Sequence, residues 1–361
     1  MTNWRLSVSI LAGLLDNKLQ TKEAKLMRRL FLYLAVMASS LLGITTSAVA
    51  KCGDVTMAEM NWASAELMAN IDKIILEKGY GCNVELVAGA TMPSFTSMNE
   101  KGEPDVAAEL WINAVRNPLE KAMSEGRLHS VVDGPITELG EGWWIPPHTR
   151  KKHPELKTAL DVLKRPDLFP HPEDKSKGAF VGCPAGWGCQ LANNNLFRAF
   201  EMEKKGWILV DPGSAAGLDG SMSKAVERGE NWFGYYWSPT AMIGKYKMVP
   251  LDFGVPFAGK ENWDGCIVKP EQECANPKPS AWTKSEVHTI ITDSFKKSGG
   301  DAITYLSKRI IPGPVMNAML VFMADEQAGG GDAAIEFLKK HEAVWSKWVS
   351  SAAAGKIKKS L

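Results

Sequence analysis

Short apolar segments alternate with longer amphipathic segments through most of the chain, starting after residue 50. Residues 54–60 are predicted to form a strand, and residues 63–75 a helix whose apolar side chains share one face. Gly79 supplies the stop signal for this helix, and residues 84–87 form the second predicted strand. This order of elements predicts an α/β fold with a parallel or mostly parallel sheet.

The same alternation continues towards the C-terminus. Further strands are predicted at residues 105–111, 178–183, 207–210 and 232–237. Helices are predicted between residue 111 and Gly126 and at residues 154–164, 191–202 and 221–228. The remaining predictions are a stiff segment at residues 142–146, an irregular segment at 253–279 and a helical region at 284–351.

The first fifty residues have a different pattern. Arg28 and Arg29 precede a short apolar stretch, and small residues close the segment at Ala48-Val49-Ala50. A basic start, a short apolar middle and an A-x-A end predict a secretory signal peptide over residues 1–50. The apolar stretch is too short for a membrane span, and a buried N-terminal helix is the alternative.

Processing at this site fixes the expected start of the mature chain. Met27 directly precedes the two arginines, so residues 1–26 are also compatible with a start codon assigned too early. Cleavage after Ala50 gives a chain that begins at Lys51 and is long enough for two lobes of ordinary domain size. Because Lys51 before Cys52 does not match a lipid-anchor sequence, we expect a soluble, periplasmic product.

All six cysteines follow the predicted cleavage site. An even number of cysteines in an oxidising compartment indicates disulfide bonds, although several connectivities are possible. The pairs favoured by closeness in sequence are Cys183–Cys189 and Cys266–Cys274, which leaves Cys52–Cys82. A metal site is the alternative, but no pair has the C-x-x-C spacing of a zinc ribbon.

Charge and motifs narrow the function. The chain has 42 basic and 41 acidic residues, and this balance argues against nucleic-acid binding, which requires a basic surface. Six scattered histidines show no metal-ligand spacing, and no nucleophile elbow or phosphate-binding loop is present. We therefore expect a monomeric binding protein with no catalytic residues, cofactor or metal, and an exported hydrolase is the rival class.

Thirteen tryptophans are the unusual feature of the composition. Ligands of open α/β sheets bind beyond the carboxyl ends of the strands. The tryptophans predicted at or near such positions are Trp62, Trp111, Trp187 and Trp237, with Trp143 and Trp144 in the stiff segment. Clustered aromatic faces bind alkylated ammonium groups, so these residues are candidates for a ligand cage. Core packing is the alternative for each of them, and it is the expected role of Trp207.

Several short motifs occur together in the order of a known family. They are Asn61-Trp62, Gly79-Tyr80 and the segments 104–111, 142–146, 182–186 and 236–239. With these motifs, residues 54–252 resemble the glycine betaine/proline/choline-type substrate-binding proteins of ABC importers. The resemblance implies a two-lobed type II periplasmic binding fold, with a hinge and a ligand cleft between the lobes. It also implies a membrane permease and an ATPase as partners.

The resemblance also implies lobe limits and site residues. Lobe 1 is expected to comprise residues 51–142 and 241–361, and lobe 2 residues 143–240, with chain crossings near Trp143 and Thr240. Family members hold an ammonium group between aromatic side chains from both lobes. This role carries over to Trp62 and Trp111 in lobe 1 and to Trp144 and Trp237 in lobe 2, with Trp187 as a further candidate.

The choice of solute depends on departures from the family pattern. Thr240 stands where betaine binders often have a histidine, and Ser64 stands where choline binders tend to have an aspartate. Glu109 instead precedes Trp111 by two residues, so both are expected on one strand face. An ionised Glu109 repels a betaine carboxylate, but a carboxyl group whose pKa is raised by burial can share its proton with an N-oxide.

This pattern resembles the trimethylamine N-oxide binders of the same family. Trimethylamine N-oxide is therefore the leading predicted solute, and glycine betaine, choline or a sulfonium analogue is the alternative. A salt bridge or a solvated strand end is the alternative role for Glu109.

Overall fold

A computed structural model of the chain describes residues 52–361. The predicted signal peptide, residues 1–50, lies outside the described residues. Within residues 52–361, no helix has both the length and the apolar character needed to cross a membrane.

The described residues form two five-stranded sheets. In chain order the strands are β1 (Asp54–Met60), β2 (Asn83–Gly89), β3 (Val106–Trp111), β4 (Leu128–Asp133), β5 (Gly140–Ile145), β6 (Gly178–Val181), β7 (Trp207–Val210), β8 (Gly234–Ser238), β9 (Val249–Pro250) and β10 (Val287–Thr292). The first sheet has the order β2-β1-β3-β10-β4, and the second has the order β7-β6-β8-β5-β9. The predicted α/β class is confirmed, but the prediction of a mostly parallel sheet was wrong, because each sheet contains parallel and antiparallel pairs.

Helices connect and cover the strands. In chain order they are α1 (Ala63–Ile74), α2 (Thr91–Lys101), α3 (Arg116–Ser124), α4 (Pro147–Lys152), α5 (Ala159–Leu163), α6 (Gly188–Ala199), α7 (Ala215–Glu227), α8 (Ala241–Tyr246), α9 (Lys260–Asn262), α10 (Asp293–Ser298), α11 (Asp301–Leu306), α12 (Gly313–Glu326), α13 (Gly330–Lys340), α14 (Glu342–Trp345) and α15 (Ser351–Ser360). A π-helical turn, Ile75–Tyr80, continues α1, and Gly81 ends it in the left-handed conformation at φ 76°. The predicted stop at Gly79 was wrong by two residues, because Gly81 and not Gly79 has the left-handed conformation.

The first sheet is parallel on one side and antiparallel on the other. Strand β1 pairs in parallel with β2 and β3, whereas β10 lies antiparallel between β3 and β4. The prediction that residues 284–351 are entirely helical was wrong for β10. Its sequence includes Thr289, Ile290 and Ile291, β-branched residues that pack well on a pleated surface, and all three are buried.

The second sheet is built around β8. Strand β8 pairs in parallel with β6 and antiparallel with β5, and β5 in turn pairs with β9. The chain therefore passes between the sheets after Asp133 and again after Pro250, whereas the sequence placed the crossings near Trp143 and Thr240. The lobe limits 51–142, 143–240 and 241–361 remain a prediction.

Two buried apolar clusters form the core. One covers the face of the first sheet that carries Val106 and Ala108. The other begins on the opposite face, at Ala107, and extends to Phe180 and Trp207 of the second sheet. Trp207 is 1% exposed, so its predicted core role is confirmed.

A buried ion pair fixes the strand that carries Glu109. Arg309 Nε lies 2.8 Å from Asp72 Oδ1, and both side chains are fully buried. Arg309 also donates to the backbone carbonyl of Ala108 at 3.1 Å and to Thr289 Oγ1 at 2.8 Å. Burial raises the pKa of Asp72, whereas Arg309 lowers it. The guanidinium group thus ties α1 to both β3 and β10.

Three disulfide bonds join the six cysteines, and the predicted pairing is confirmed. Cys52–Cys82 links the segments that precede β1 and β2. Cys183–Cys189 closes the loop between β6 and α6, and Cys266–Cys274 closes a loop that follows β9.

Candidate functional site

A cavity of about 40 Å³ lies between the two sheets. Four of the predicted site residues line it, namely Trp62, Trp111, Trp187 and Trp237. We call this space the inner cavity. Because one water needs about 10–15 Å³ on this scale, the inner cavity has room for a solute of only a few non-hydrogen atoms.

The local fold brings the four tryptophans together. Trp62 follows β1 and precedes α1, Trp111 ends β3, Trp187 directly precedes α6, and Trp237 lies in β8. The Trp187 ring meets the Trp62 ring at a centroid distance of 5.4 Å and the Trp237 ring at 5.1 Å. Both contacts are edge-to-face, the geometry favoured by the ring quadrupoles. All four side chains are at most 9% exposed.

Two contacts near Trp187 hold the sheets close together at the inner cavity. Trp187 Nε1 donates to Asn61 Oδ1 at 2.7 Å, which joins the start of α6 to the end of β1. Gly188 lies against Ala114, and a Cβ atom at position 188 would be only 2.5 Å from the Ala114 Cβ. The absence of a side chain at Gly188 therefore permits this close approach.

Trp144, the fifth predicted cage tryptophan, does not line the inner cavity. Its Nε1 donates to the backbone carbonyl of Tyr236 at 2.9 Å. Glu141 does line the cavity, and Trp144 lies three residues further along β5. Since side chains alternate along a strand, Trp144 is on the opposite face of the sheet.

Glu109 is almost fully buried and gathers hydrogen bonds on one oxygen. Its Oε1 accepts from Trp62 Nε1 at 2.7 Å, from Trp111 Nε1 at 2.8 Å and from Ser64 Oγ at 2.9 Å. Its Oε2 is buried and has no hydrogen-bond partner within residues 52–361. The contact with Trp111 agrees with the predicted shared strand face. Glu109 therefore orients two of the tryptophans that line the inner cavity.

The protonation of Glu109 is poised near neutral pH. Burial raises the pKa of Glu109 from 4.5 to about 7, although the hydrogen bonds from Trp62, Trp111 and Ser64 act in the opposite direction. Desolvation dominates because an ionised carboxylate loses its water inside the protein. At neutral pH the carboxyl group is thus divided between its proton-donating and its charged form.

Glu109 lies behind Trp62 and Trp111 and does not itself line the inner cavity, but another acid, Glu141, does. Glu141 was not singled out by the sequence reasoning. Glu141 accepts from the Tyr235 hydroxyl at 2.9 Å and from the Asn113 side-chain amide at 2.9 Å. Burial raises the pKa of Glu141, whereas the hydrogen bond from Tyr235 lowers it. Its position in the tryptophan-rich segment 142–146 was the nearest sequence signal, because Glu141 directly precedes that segment.

Two tryptophans without an assigned role complete the aromatic wall. Trp263 and Trp282 both line the inner cavity, and their rings meet edge-to-face at 5.3 Å. They belong to the region after β9, where the sequence shows no periodic pattern. Only the three-dimensional path of this region brings them to the cavity.

The chemistry of the inner cavity suits a small cation or a dipole with a positive pole. Its walls are mainly aromatic side chains, and among the lining residues Glu141 supplies a carboxyl group, with Asn113 and Tyr235 as its hydrogen-bond donors. Within residues 52–361, no group of three or more His, Cys, Asp and Glu side chains is arranged to hold a metal ion.

Two helix-covered sheets with an aromatic cavity between them are typical of a two-lobed solute-binding protein. Residues 53–340 match the family described as the substrate binding domain of ABC-type glycine betaine transport systems. The chain belongs to this family, as the sequence motifs predicted.

Individual relatives agree with this assignment. The glycine betaine/proline betaine-binding periplasmic protein of Escherichia coli is 24% identical over 188 residues, which are 49% of this chain and 54% of the relative. The aligned part thus spans about half the length of that relative.

Solved structures show the same fold. A glycine betaine/L-proline-binding protein from Borrelia burgdorferi has a TM-score of 0.65 at 17% identity, covering 84% of this chain and 99% of that chain. Lactococcal OpuAC, in a closed form complexed with glycine betaine, has a TM-score of 0.61 at 18% identity, covering 82% of this chain and 100% of that chain.

Proposed function

We propose that the protein is the periplasmic receptor of an ABC importer and binds a small methylated amine in the inner cavity. The leading solute is trimethylamine N-oxide, and glycine betaine, choline or a sulfonium analogue is the alternative. The receptor acts without catalysis and as a monomer, and it delivers the solute to a membrane permease driven by an ATPase. Family membership and the similarity to the Escherichia coli betaine-binding periplasmic protein support the transport role.

The four tryptophans support recognition of a methylated nitrogen. Each aromatic face contributes about 0.5–2 kcal/mol to binding a cation, depending on how completely the partners are desolvated. Trp62, Trp111, Trp187 and Trp237 are all buried, so their faces act where water does not compete. The positive pole of trimethylamine N-oxide, spread over its methyl groups, is complementary to these faces.

The arrangement of hydrogen bonds at Glu109 is the observation that carries the choice of solute. Oε1 of Glu109 accepts all three hydrogen bonds, whereas Oε2 has no partner among the described residues. When the carboxyl group is protonated, Oε2 is therefore the oxygen that would carry the proton. A protonated carboxyl group can donate to the strongly accepting oxygen of an N-oxide. An ionised carboxylate would instead repel the carboxylate of glycine betaine. The small volume of the inner cavity also favours a solute without a carboxymethyl arm.

Isothermal titration of the protein with trimethylamine N-oxide, glycine betaine and choline tests the proposal. We expect the N-oxide to bind most tightly. Glu109→Gln should keep part of the N-oxide affinity because the amide still donates, whereas Glu109→Ala should lose most of it. Glycine betaine should bind the Ala variant better than the wild type, because the repelling charge is gone. If the wild type and both variants prefer glycine betaine to the same extent, Glu109 has no part in solute recognition.

Lobe closure and export complete the proposed function. Small-angle scattering should give a smaller radius of gyration at saturating solute, because hinge closure brings the lobes together. Intact-mass analysis of the secreted protein should show a chain that begins at Lys51 and has no alkylatable thiol. Retention of residues 1–50 would contradict export by a cleaved signal peptide.

A further inference from the structure

A second, larger cavity adjoins the inner cavity. Its volume is about 220 Å³, and Trp62 and Trp237 line both spaces, so these two indoles form part of the wall between them. Further walls come from α7, β8 and α12. We call this space the outer cavity. Trp187 lines only the inner cavity, whereas Ser64, which donates to Glu109, lines only the outer cavity.

One acid in the outer cavity has no cationic partner. Asp219 of α7 is half-buried, and its carboxylate accepts a hydrogen bond from the Tyr236 hydroxyl at 2.5 Å. Among residues 52–361, no lysine, arginine or histidine forms an ion pair with it or affects its pKa. Burial raises the pKa of Asp219, and a bound cation would lower it again and stabilise the charged form.

The remaining walls fit an organic cation better than a metal ion. Trp62, Trp237 and Tyr236 supply aromatic surface, and Met323 supplies a polarisable thioether. A calcium or magnesium ion needs about six oxygen ligands, whereas Asp219 is the only carboxylate that lines the outer cavity within the described residues. Aromatic faces beside a single carboxylate are the chemistry that binds an alkylated ammonium group.

We propose that the outer cavity is a second site for an organic ammonium cation, with Asp219 as its counter-charge. The site is expected to be weaker than the inner cavity because it is wider and has fewer aromatic faces. It does not depend on which methylated amine the inner cavity prefers. It also does not require a proton on Glu109.

Tetramethylammonium is a suitable probe because it offers positive charge and methyl groups but no oxygen. Native mass spectrometry and calorimetry over a wide concentration range should show two binding events on the wild-type protein. Asp219→Asn should weaken the weaker event by about tenfold or more, because the amide keeps the Tyr236 contact but lacks the charge. The tighter event should be unchanged.

Matched variants separate this site from the inner cavity. Asp211 is an exposed acid between β7 and α7 that does not line the outer cavity. Asp211→Asn should therefore change neither binding event. Trp187→Ala alters only the inner cavity, so it should weaken the tighter event and leave the weaker one.

The outcomes are distinguishable. A single binding event on the wild type that Trp187→Ala removes would overturn the outer site while leaving the proposed function intact. Loss of both events in Asp219→Asn, with a lowered melting temperature, would assign Asp219 a structural role and also overturn the outer site. A weaker event that persists alone, with no tight event for any methylated amine, would contradict the proposed function only.

Discussion

The side-chain amide of Asn113 donates to the Glu141 carboxylate at 2.9 Å, and this hydrogen bond connects the two sheets. Asn113 follows β3 of the first sheet, and Glu141 is the second residue of β5 in the second sheet. Tyr235 of β8 donates to the other oxygen of Glu141. The carboxyl group is therefore held from both sides of the inner cavity, at the point where the chain enters the second sheet.

Glu141→Gln is expected to weaken binding of choline by about tenfold, because a bound cation favours the ionised carboxylate, which glutamine cannot provide. The affinity for the neutral trimethylamine N-oxide should change less. Calorimetry with both solutes gives the comparison. Glu85→Gln, an exposed substitution on β2, is the matched control and should have no effect. Equal losses for both solutes would show that Glu141 acts by holding the sheets together.

The tryptophans divide into two groups with opposite expected effects. Each of Trp62→Ala, Trp111→Ala, Trp187→Ala and Trp237→Ala should weaken solute binding by about 1–3 kcal/mol. Trp144→Ala should instead lower the free energy of unfolding by about 3–5 kcal/mol and leave affinity intact, as should Trp207→Ala. Titration calorimetry and urea unfolding measure the two effects separately. A Trp144→Ala variant that is stable but binds the solute weakly would show that Trp144 contributes to solute binding.

Glu109 makes stability depend on pH. Its pKa is raised in the folded protein to about 7 from 4.5, so its contribution to stability is fully present below about pH 4.5 and is lost as the pH rises through about 7. This shift corresponds to about 3 kcal/mol in the free energy of unfolding. Urea unfolding of the solute-free protein across this range should show a steeper decline for the wild type than for Glu109→Gln. Parallel curves would contradict the buried, protonated carboxyl group.

The same carboxyl group should give N-oxide binding a characteristic pH profile. If a protonated Glu109 donates to the solute, affinity should be constant below about pH 7 and fall by up to about tenfold per pH unit above it. Choline should show the opposite trend, since it is attracted by the ionised form. Dissociation constants measured from about pH 6 to about pH 9 test this. In Glu109→Gln both profiles should be flatter.

Removal of either of two disulfide bonds should lower stability, but only one of the removals should also weaken solute binding. Removal of Cys183–Cys189 by paired serine substitutions should cost about 2 kcal/mol of stability and should also weaken solute binding, because Cys189 lines the inner cavity. Removal of Cys52–Cys82, which closes a longer loop, should cost about 3–4 kcal/mol without changing affinity. Thermal unfolding and calorimetry on the two variants provide the test. Equal affinities in both would contradict a role for the Cys183–Cys189 loop in the site.

The parts of the fold that could be predicted are those where the apolar period is clear and local. Strand β1 was predicted with its observed limits, and β7 likewise, because turn residues bound each apolar run. Strand β10 was missed because its pairing partners, β3 and β4, are far away in sequence. Such pairing leaves only β-branched residues as a local signal.

The site residues also divide into those with a local signal in the sequence and those without one. Trp62 and Trp111, which line the inner cavity, could be singled out because strand ends are visible in the sequence. The contact between Glu109 and Trp111 could be expected because strand alternation puts both on one face. Trp144 was predicted as a cage residue but does not line the inner cavity, and the strand face it occupies could not be read from a short segment of unknown register. Trp282 could not be assigned, since it reaches the inner cavity only through the irregular path after β9.

The position of β10 has a consequence for the order in which the molecule assembles. Strand β10 is the last strand of the chain but fills the space between β3 and β4. The second sheet is complete once residue 250 is available, whereas β3 and β4 lack their shared neighbour until residues 287–292 arrive. Pairing over such sequence distances is slow to form. During synthesis the N-terminal residues are available first. The sheet that carries Trp237 should therefore be complete before the sheet that carries Trp111.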